Sequence, residues 1–249
     1  MKIFKIYDLT YIVLLISFLA GYFNYIYILL FIILIHESGH LLVALLFKFK
    51  IDKVLIYPFG GITKYNEIIN INIFKELLVL VAGPLFQVIL TIIIYNINKY
   101  GLINENTYNI FSIINRELFI FNLLPIVPLD GSKLLSIVLQ LLLPYKLSLY
   151  IIIYISIIAS TITVLFSPYI IIKVCALLLC KNIYQEYKDI NYKFNKFLLE
   201  RNLYNLGKVY INKSINNINR VRRCFKYNII YNNMLYSEKD YLKYVYFKT

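Results

Sequence analysis

Long apolar segments recur along the chain from residue 9 to residue 180, and short polar breaks separate them. A helix needs about 20 apolar residues to cross a bilayer, and about six segments approach that length. The pattern predicts an all-α polytopic membrane protein with about six transmembrane helices and a small cytosolic tail. The predicted spans are 8–22, 25–47, 76–97, 110–129, 147–166 and 169–184.

The polar segment between the second and third spans has a different pattern. In VLIYPFGGITKY, residues 54–65, apolar β-formers lie on both sides of Pro58, Phe59, Gly60 and Gly61. Two such runs around a glycine-containing turn favour a β-hairpin. We expect a short re-entrant hairpin that enters the membrane and pairs with an extended substrate strand. An ordinary interfacial loop fits the same residues equally well.

Composition and charge locate the chain in a membrane and orient it. Hydrophobic residues make up 60% of the chain, whereas a soluble domain is about half apolar. Lys and Arg mark cytosolic loops, and an even number of spans places both termini in the cytosol. The lysines that support this orientation are Lys2, Lys5, Lys48, Lys50, Lys53, Lys133, Lys146, Lys181 and Lys188.

The last part of the chain is polar and basic. Residues 188–249 carry 13 Lys and Arg against 4 Asp and Glu, which is +9 of the net charge of +13. We expect a small cytosolic α/β element with a helix over 214–225, which faces anionic lipid headgroups. No nucleic acid is expected, because no recognition motif accompanies the charge. The chain thus divides into a transmembrane domain, 1–187, and a basic tail, 188–249.

Both histidines of the chain lie inside the apolar second span. His36, Glu37 and His40 form an H-E-x-x-H motif within LIHESGHLL, residues 34–42. Residues four apart share one face of a helix, so both imidazoles can bind one zinc ion, with Glu37 as the base. An ionisable group in the bilayer costs about 2.5–3.5 kcal/mol, which a metal would offset. Two buried histidines with backbone or tyrosine partners are the alternative.

A zinc site of this type needs a third protein ligand, and with only two histidines it must be a carboxylate. Asp130 is favoured, because it lies in FNLLPIVPLDGSKLL without an adjacent cation, after two prolines that interrupt the helix. The predicted topology also places it at the depth of the motif. Two alternatives remain: an Asp-Gly turn at the membrane surface, and a site in a soluble domain with Glu67 as ligand.

HESGH and the distant NLLPIVPLDG resemble the paired motifs of the site-2 protease family of intramembrane zinc metalloproteases. The resemblance covers about residues 30–135, includes PFGG at 58–61, and is greatest to the sporulation branch, which processes a sigma-factor precursor. It implies a membrane-associated protein substrate and membrane inhibitor proteins as partners. It also implies one zinc ion per chain, with His36, His40 and Asp130 as ligands, Glu37 as catalytic base and Asn122 near the active site.

One further element of the family is present in part. Ala82-Gly83-Pro84 matches it, but Gln87 stands where the family usually has an asparagine. The predicted function is therefore intramembrane zinc endopeptidase. A metal-binding membrane scaffold or transporter is the non-enzyme alternative, because two histidines and a carboxylate in series could form an ion path. No second cluster of ionisable residues in the other spans supports that alternative.

Overall fold

The structure is a computed structural model that describes residues 4–6, 11, 15, 19–49, 51–57, 60–65, 72–166, 170–203, 210–223, 225–231 and 234–246. Its helices, numbered in chain order, are α1 Phe23–Leu46, α2 Ile73–Lys99, α3 Glu105–Leu123, α4 Asp130–Leu142, α5 Tyr145–Phe166, α6 Ile170–Lys188, α7 Ile190–Leu203 and α8 Glu238–Tyr246. Its strands are β1 Phe4–Ile6, β2 Ile51–Tyr57, β3 Gly60–Tyr65, β4 Tyr210–Ile215, β5 Phe225–Tyr231 and β6 Met234–Ser237.

Within the described ranges, three helices are long and apolar enough to cross a membrane, namely α1, α2 and α5. They coincide with the second, third and fifth predicted spans. The first predicted span, 8–22, lies mostly outside the described residues, and α6 occupies the position of the sixth. The fourth ends early: α3 stops at Leu123 rather than at 129, because proline disfavours helix at the residue before it. The count of six spans remains a prediction.

The chain forms two compact units. The first consists of Met1–Glu67 and Ile73–Leu123, and the second of Ile68–Asn72 and Leu124–Thr249. In the first unit, α1 packs against α2 and α3 around an aliphatic core that includes Ile32, Ile33 and Leu118. This unit therefore contains the whole H-E-x-x-H motif.

A three-stranded sheet also belongs to the first unit. Strand β1 pairs parallel with β2, and β2 pairs antiparallel with β3. Tyr57 lies opposite Gly60, and Ile56 lies opposite Gly61. Residues 58 and 59, including Phe59, lie outside the described residues. The antiparallel pair occupies the segment predicted as a hairpin, and its entry into the membrane remains a prediction.

The second unit packs the C-terminal tail against α5. Tyr145, at the start of α5, stacks on Phe197 of α7 with ring centroids 4.1 Å apart. The backbone N–H of Tyr145 donates to the carbonyl of Val221 at 2.9 Å. Residues on both sides of the predicted domain boundary at 187 share this hydrophobic core. Tyr227 lies in the same core, where burial raises the pKa of its phenol.

The helix predicted over 214–225 is wrong. The described part of that segment is the end of β4, a 3-10 helix at Ile218–Arg220, irregular backbone and the first residue of β5. The side chain of Asn217 accepts a hydrogen bond from the backbone N–H of Asn219 at 2.9 Å. Asparagine side chains compete for the backbone in this way, so an Asn-rich segment favours turns over continuous helix.

Candidate metal centre

Helix α1 brings the two histidines together inside an apolar environment. His36 and His40 are only 3% and 4% exposed, and one helical turn separates them. Their Nε2 atoms lie 3.2 Å apart. The rings meet edge to face, with centroids 4.9 Å apart and an angle of 77° between their planes. Each side chain thus directs its Nε2 atom toward that of the other.

The hydrogen bond of His40 fixes its tautomer. Its Nδ1 lies 2.8 Å from the backbone carbonyl oxygen of Val79 in α2. A carbonyl oxygen can only accept a hydrogen bond, so Nδ1 carries the proton. In the neutral ring, the lone pair is therefore on Nε2.

His36 has the same tautomer for a different reason. Its Nδ1 lies 3.1 Å from Oε1 of Gln87. The Gln87 Nε2 donates to the backbone carbonyl of Asn115 at 2.8 Å, which fixes the orientation of the amide. Oε1 is then the acceptor that faces His36, and Nδ1 of His36 is the donor. The lone pair of His36 is again on Nε2.

This arrangement fits a zinc ion. Two neutral rings with lone pairs on Nε2 cannot hydrogen-bond to each other through those atoms, but both can bind the same cation. Tetrahedral zinc with Zn–N distances of 2.0–2.1 Å places two nitrogens about 3.3 Å apart, close to the 3.2 Å observed. The half-buried Glu37 completes a group whose ligand atoms lie within 4.8 Å of one another. His36, Glu37 and His40 can therefore hold a metal ion.

Residues 24–102, which include this group, match peptidase family M50. The match covers about a third of the chain, so these residues form an M50-type domain, similar to that of the site-2 proteases. Stage IV sporulation protein FB of Bacillus subtilis is 33% identical over 141 residues, which are 57% of this chain and 49% of that protein. A zinc metalloprotease of Methanocaldococcus jannaschii is 36% identical over 118 residues, 46% of this chain and 34% of that protein. The chain thus spans about half the length of the first of these relatives and about a third of the second.

The fold is also similar to that of a site-2 protease. The solved structure of the site-2 protease from Methanocaldococcus jannaschii superposes with a TM-score of 0.60 at 27% identity. The superposition covers 74% of this chain and 89% of that one. The chain therefore has a site-2-protease-like fold, and the metal-binding group lies in the M50 domain.

Asp130 lies in the second unit, at the start of α4. It is buried, and it forms an ion pair with Lys133 at 2.8 Å. The expectation that no cation is adjacent to Asp130 was wrong, because an i,i+3 spacing places Lys133 beside it on the helix. Asp130 also begins a helix rather than ending one, since α4 starts at this residue. A carboxylate in the first turn suits the helix dipole.

The loop before Asp130 is fixed in the second unit by hydrophobic packing and by hydrogen bonds to α5. Ile126 is fully buried, and Val127 packs in the same core. The hydroxyl of Ser156, in α5, accepts from the backbone N–H of Val127 at 3.2 Å and lies 3.1 Å from the carbonyl of Pro125. The segment that carries Asp130 is thus fixed to α5.

The remaining predicted site residues fall in different parts of the chain. Asn122 is buried near the end of α3, in the first unit. Gly60 and Gly61 begin β3. Phe59 and Glu67 lie outside the described residues. The sequence analysis noted Gln87 only as a departure from the family pattern and assigned it no contact, although a glutamine in an otherwise apolar helix was a signal of a polar partner.

Two glycines let α1 and α2 approach closely at the H-E-x-x-H motif. A Cβ atom on Gly83 would lie 2.2 Å from Nε2 of His40 and 2.5 Å from its Cε1. A Cβ on Gly39 would lie 2.6 Å from the backbone oxygen of Ala82. Small residues at helix interfaces permit such contacts in membranes. The His40 ring therefore lies directly on the backbone of Gly83.

We expect Gly83→Ala to lose most of its bound zinc, because the added methyl would displace the His40 ring from its present position. Zinc content per purified chain, measured by atomic absorption, checks this. Gly101→Ala is the control, since Gly101 has a φ of +71° and open space around it. That substitution introduces backbone strain at a position distant from the motif in the sequence, so the variant protein should retain zinc. Full zinc occupancy in Gly83→Ala would show that the ring adapts.

Proposed function

We propose that this protein is an intramembrane zinc metalloendopeptidase. The observation that supports it best is the convergence of two histidine Nε2 atoms beside Glu37, within an apolar helix of an M50 domain. His36 and His40 are two of the ligands in this proposal, and Asp130 is the third. Three protein ligands leave one position open, as catalytic zinc sites require.

The chemistry is general base catalysis. Zinc held by His36, His40 and Asp130 would act as a Lewis acid, which would polarise a peptide carbonyl and lower the pKa of water toward about 7. Glu37 accepts the proton of the attacking water and returns it to the leaving nitrogen. Zinc is bound by the neutral imidazole, and the Nδ1 protons of His40 and His36 are donated to the carbonyl of Val79 and to Oε1 of Gln87. This scheme needs no covalent acyl-enzyme.

The substrate in this proposal is a membrane-associated protein, specifically a sporulation sigma-factor precursor. The support is the 33% identity to stage IV sporulation protein FB. A substrate strand would add to the sheet near Phe59, Gly60 and Gly61, by β-augmentation, with Asn122 near the scissile bond. Membrane inhibitor proteins and anionic lipid headgroups are further proposed partners, and both termini are proposed to face the cytosol.

Metal-dependent cleavage tests the function. The purified protein in detergent should cut a sigma-factor precursor that carries an N-terminal prosequence. In the proposed scheme the metal provides the Lewis acid and Glu37 the general base, and no other component is needed. A chelator should abolish the cleavage, and about one equivalent of zinc should restore it. Gel mobility and mass spectrometry of the products measure the result.

Three other outcomes separate the alternatives. Tight zinc binding without cleavage of any membrane-associated substrate would contradict the protease and favour a metal-binding scaffold or transporter. Cleavage of another membrane protein but not of the precursor would retain the protease and reject the sigma-factor substrate. Cleavage that persists after complete removal of the metal would reject the zinc mechanism.

A further inference from the structure

A series of buried hydrogen bonds connects the metal-binding group to two neighbouring helices. It runs from His36 in α1 through Gln87 in α2 to Asn115 in α3. We propose that Gln87 is a positioning residue, whose amide holds His36 in the tautomer and orientation that bind zinc through Nε2. The proposal rests on the zinc-dependent function above and extends it to a residue that is not itself a ligand.

Gln87 is completely buried, and both ends of its amide are in use. Its side chain is 0% exposed. Oε1 accepts from His36, and Nε2 donates to the backbone carbonyl of Asn115. A buried amide without partners would cost about 1–3 kcal/mol, and the two hydrogen bonds avoid that cost. The amide therefore has one orientation, with its acceptor facing the histidine.

Asn115 and Thr91 complete the network around Gln87. The Nδ2 of Asn115 donates to the hydroxyl of Thr91 at 2.7 Å. That hydroxyl in turn donates to the backbone carbonyl of Gln87 at 2.9 Å. Helices α2 and α3 are thus joined by two hydrogen bonds, one from Gln87 itself and one to Thr91, a turn later in α2. The support for His36 is consequently part of the helix packing, and it does not depend on a flexible side chain alone.

The two histidines differ in what supports them. His40 donates to a backbone carbonyl, that of Val79, which no side-chain substitution removes. His36 donates to a side chain, that of Gln87. Partners of this kind orient metal-binding histidines, and their loss typically reduces metal affinity or activity by about 10–100-fold. A substitution at Gln87 should therefore affect His36 and leave His40 unchanged.

Three substitutions separate the roles of the glutamine. Gln87→Leu keeps a similar volume and removes both hydrogen bonds. Gln87→Asn introduces the residue that the family usually has here, but in the helix packing of this chain it retracts the amide by about one C–C bond, roughly 1.5 Å. From there it cannot reach both His36 and the carbonyl of Asn115. Gln87→Glu keeps an acceptor for His36. Leu90→Ala is the control, because it removes buried packing from the same helix without a polar change.

Zinc affinity and histidine NMR test the proposal on the full-length protein in detergent. We expect Gln87→Leu and Gln87→Asn to raise the zinc Kd by about 10–100-fold, and Gln87→Glu to stay within a few-fold of wild type. Leu90→Ala should lower the melting temperature and keep the wild-type Kd. Because the chain has two histidines, ¹⁵N-histidine labelling of the metal-free protein resolves both tautomers. The His36 tautomer should change in Gln87→Leu, and that of His40 should not.

Each result supports or overturns the proposal. A folded Gln87→Leu with wild-type Kd and an unchanged His36 tautomer would overturn it. If Gln87→Leu does not fold, Gln87→Asn gives the same test. It keeps an amide in the buried position but withdraws it from at least one of its two hydrogen-bond partners. A loss of affinity in Leu90→Ala equal to that in Gln87→Asn would also overturn it, since general destabilisation would explain both. A wild-type protein that binds no zinc would instead contradict the proposed function.

Discussion

Glu37→Gln is expected to abolish peptide cleavage while the protein keeps its full zinc content. Glutamine has the same shape as glutamate but cannot accept a proton from water. Loss of a general base typically reduces the rate by about 10²–10⁴-fold. In the proposed scheme Glu37 is not a ligand, so His36, His40 and Asp130 should bind the metal as before. Cleavage rate and zinc per chain, measured on the same preparation, check both parts.

Ser38→Ala provides the matched control for Glu37. The Ser38 hydroxyl donates to the carbonyl of Ile35 at 2.7 Å, within its own helix. Its removal should leave zinc content and cleavage near wild type, although it lies next to the base. Joint loss of zinc and activity in Glu37→Gln would instead identify Glu37 as a ligand, a role that its place in the metal-binding group allows. Retained cleavage would mean that another residue is the base.

Asp130→Ala is expected to lose both zinc and activity, whereas Glu67→Ala should keep both. Removing one of three protein ligands weakens binding directly, as His36→Ala and His40→Ala should also show. Removing the partner of Lys133 adds little further cost, because the lysine is 39% exposed and its ion pair is screened by solvent. Zinc stoichiometry and cleavage rate in detergent measure the difference.

The comparison of Asp130 with Glu67 decides the identity of the third ligand. Asp130→Glu keeps the charge and moves the carboxylate by about one methylene, and a misplacement near 1 Å can cost about a hundredfold in rate. It should therefore retain more zinc than Asp130→Ala but cleave slowly. If Asp130→Ala remains metallated and active while Glu67→Ala does not, the third ligand lies in the polar segment after the second span.

Local patterns in the sequence determined much of the helical framework. Apolar length alone predicted α1, α2 and α5, because a helix that crosses a bilayer must be apolar along its whole length. The i,i+4 spacing predicted that His36 and His40 share a face, and the structure places their Nε2 atoms 3.2 Å apart. Local patterns failed over 214–225, where side-chain hydrogen bonds to the backbone compete with helix formation.

Only the tertiary structure decided how the histidines are supported. The carbonyl that binds His40 is 39 residues away in the sequence, and the glutamine that binds His36 is 51 residues away. No periodicity connects positions so far apart, because their contact depends on how α2 packs against α1. The same packing leaves no room for a side chain at Gly83, since the His40 ring occupies the space that its Cβ would fill. The motif thus specified the metal-binding residues, and helix packing specified the tautomers and orientations in which they can bind.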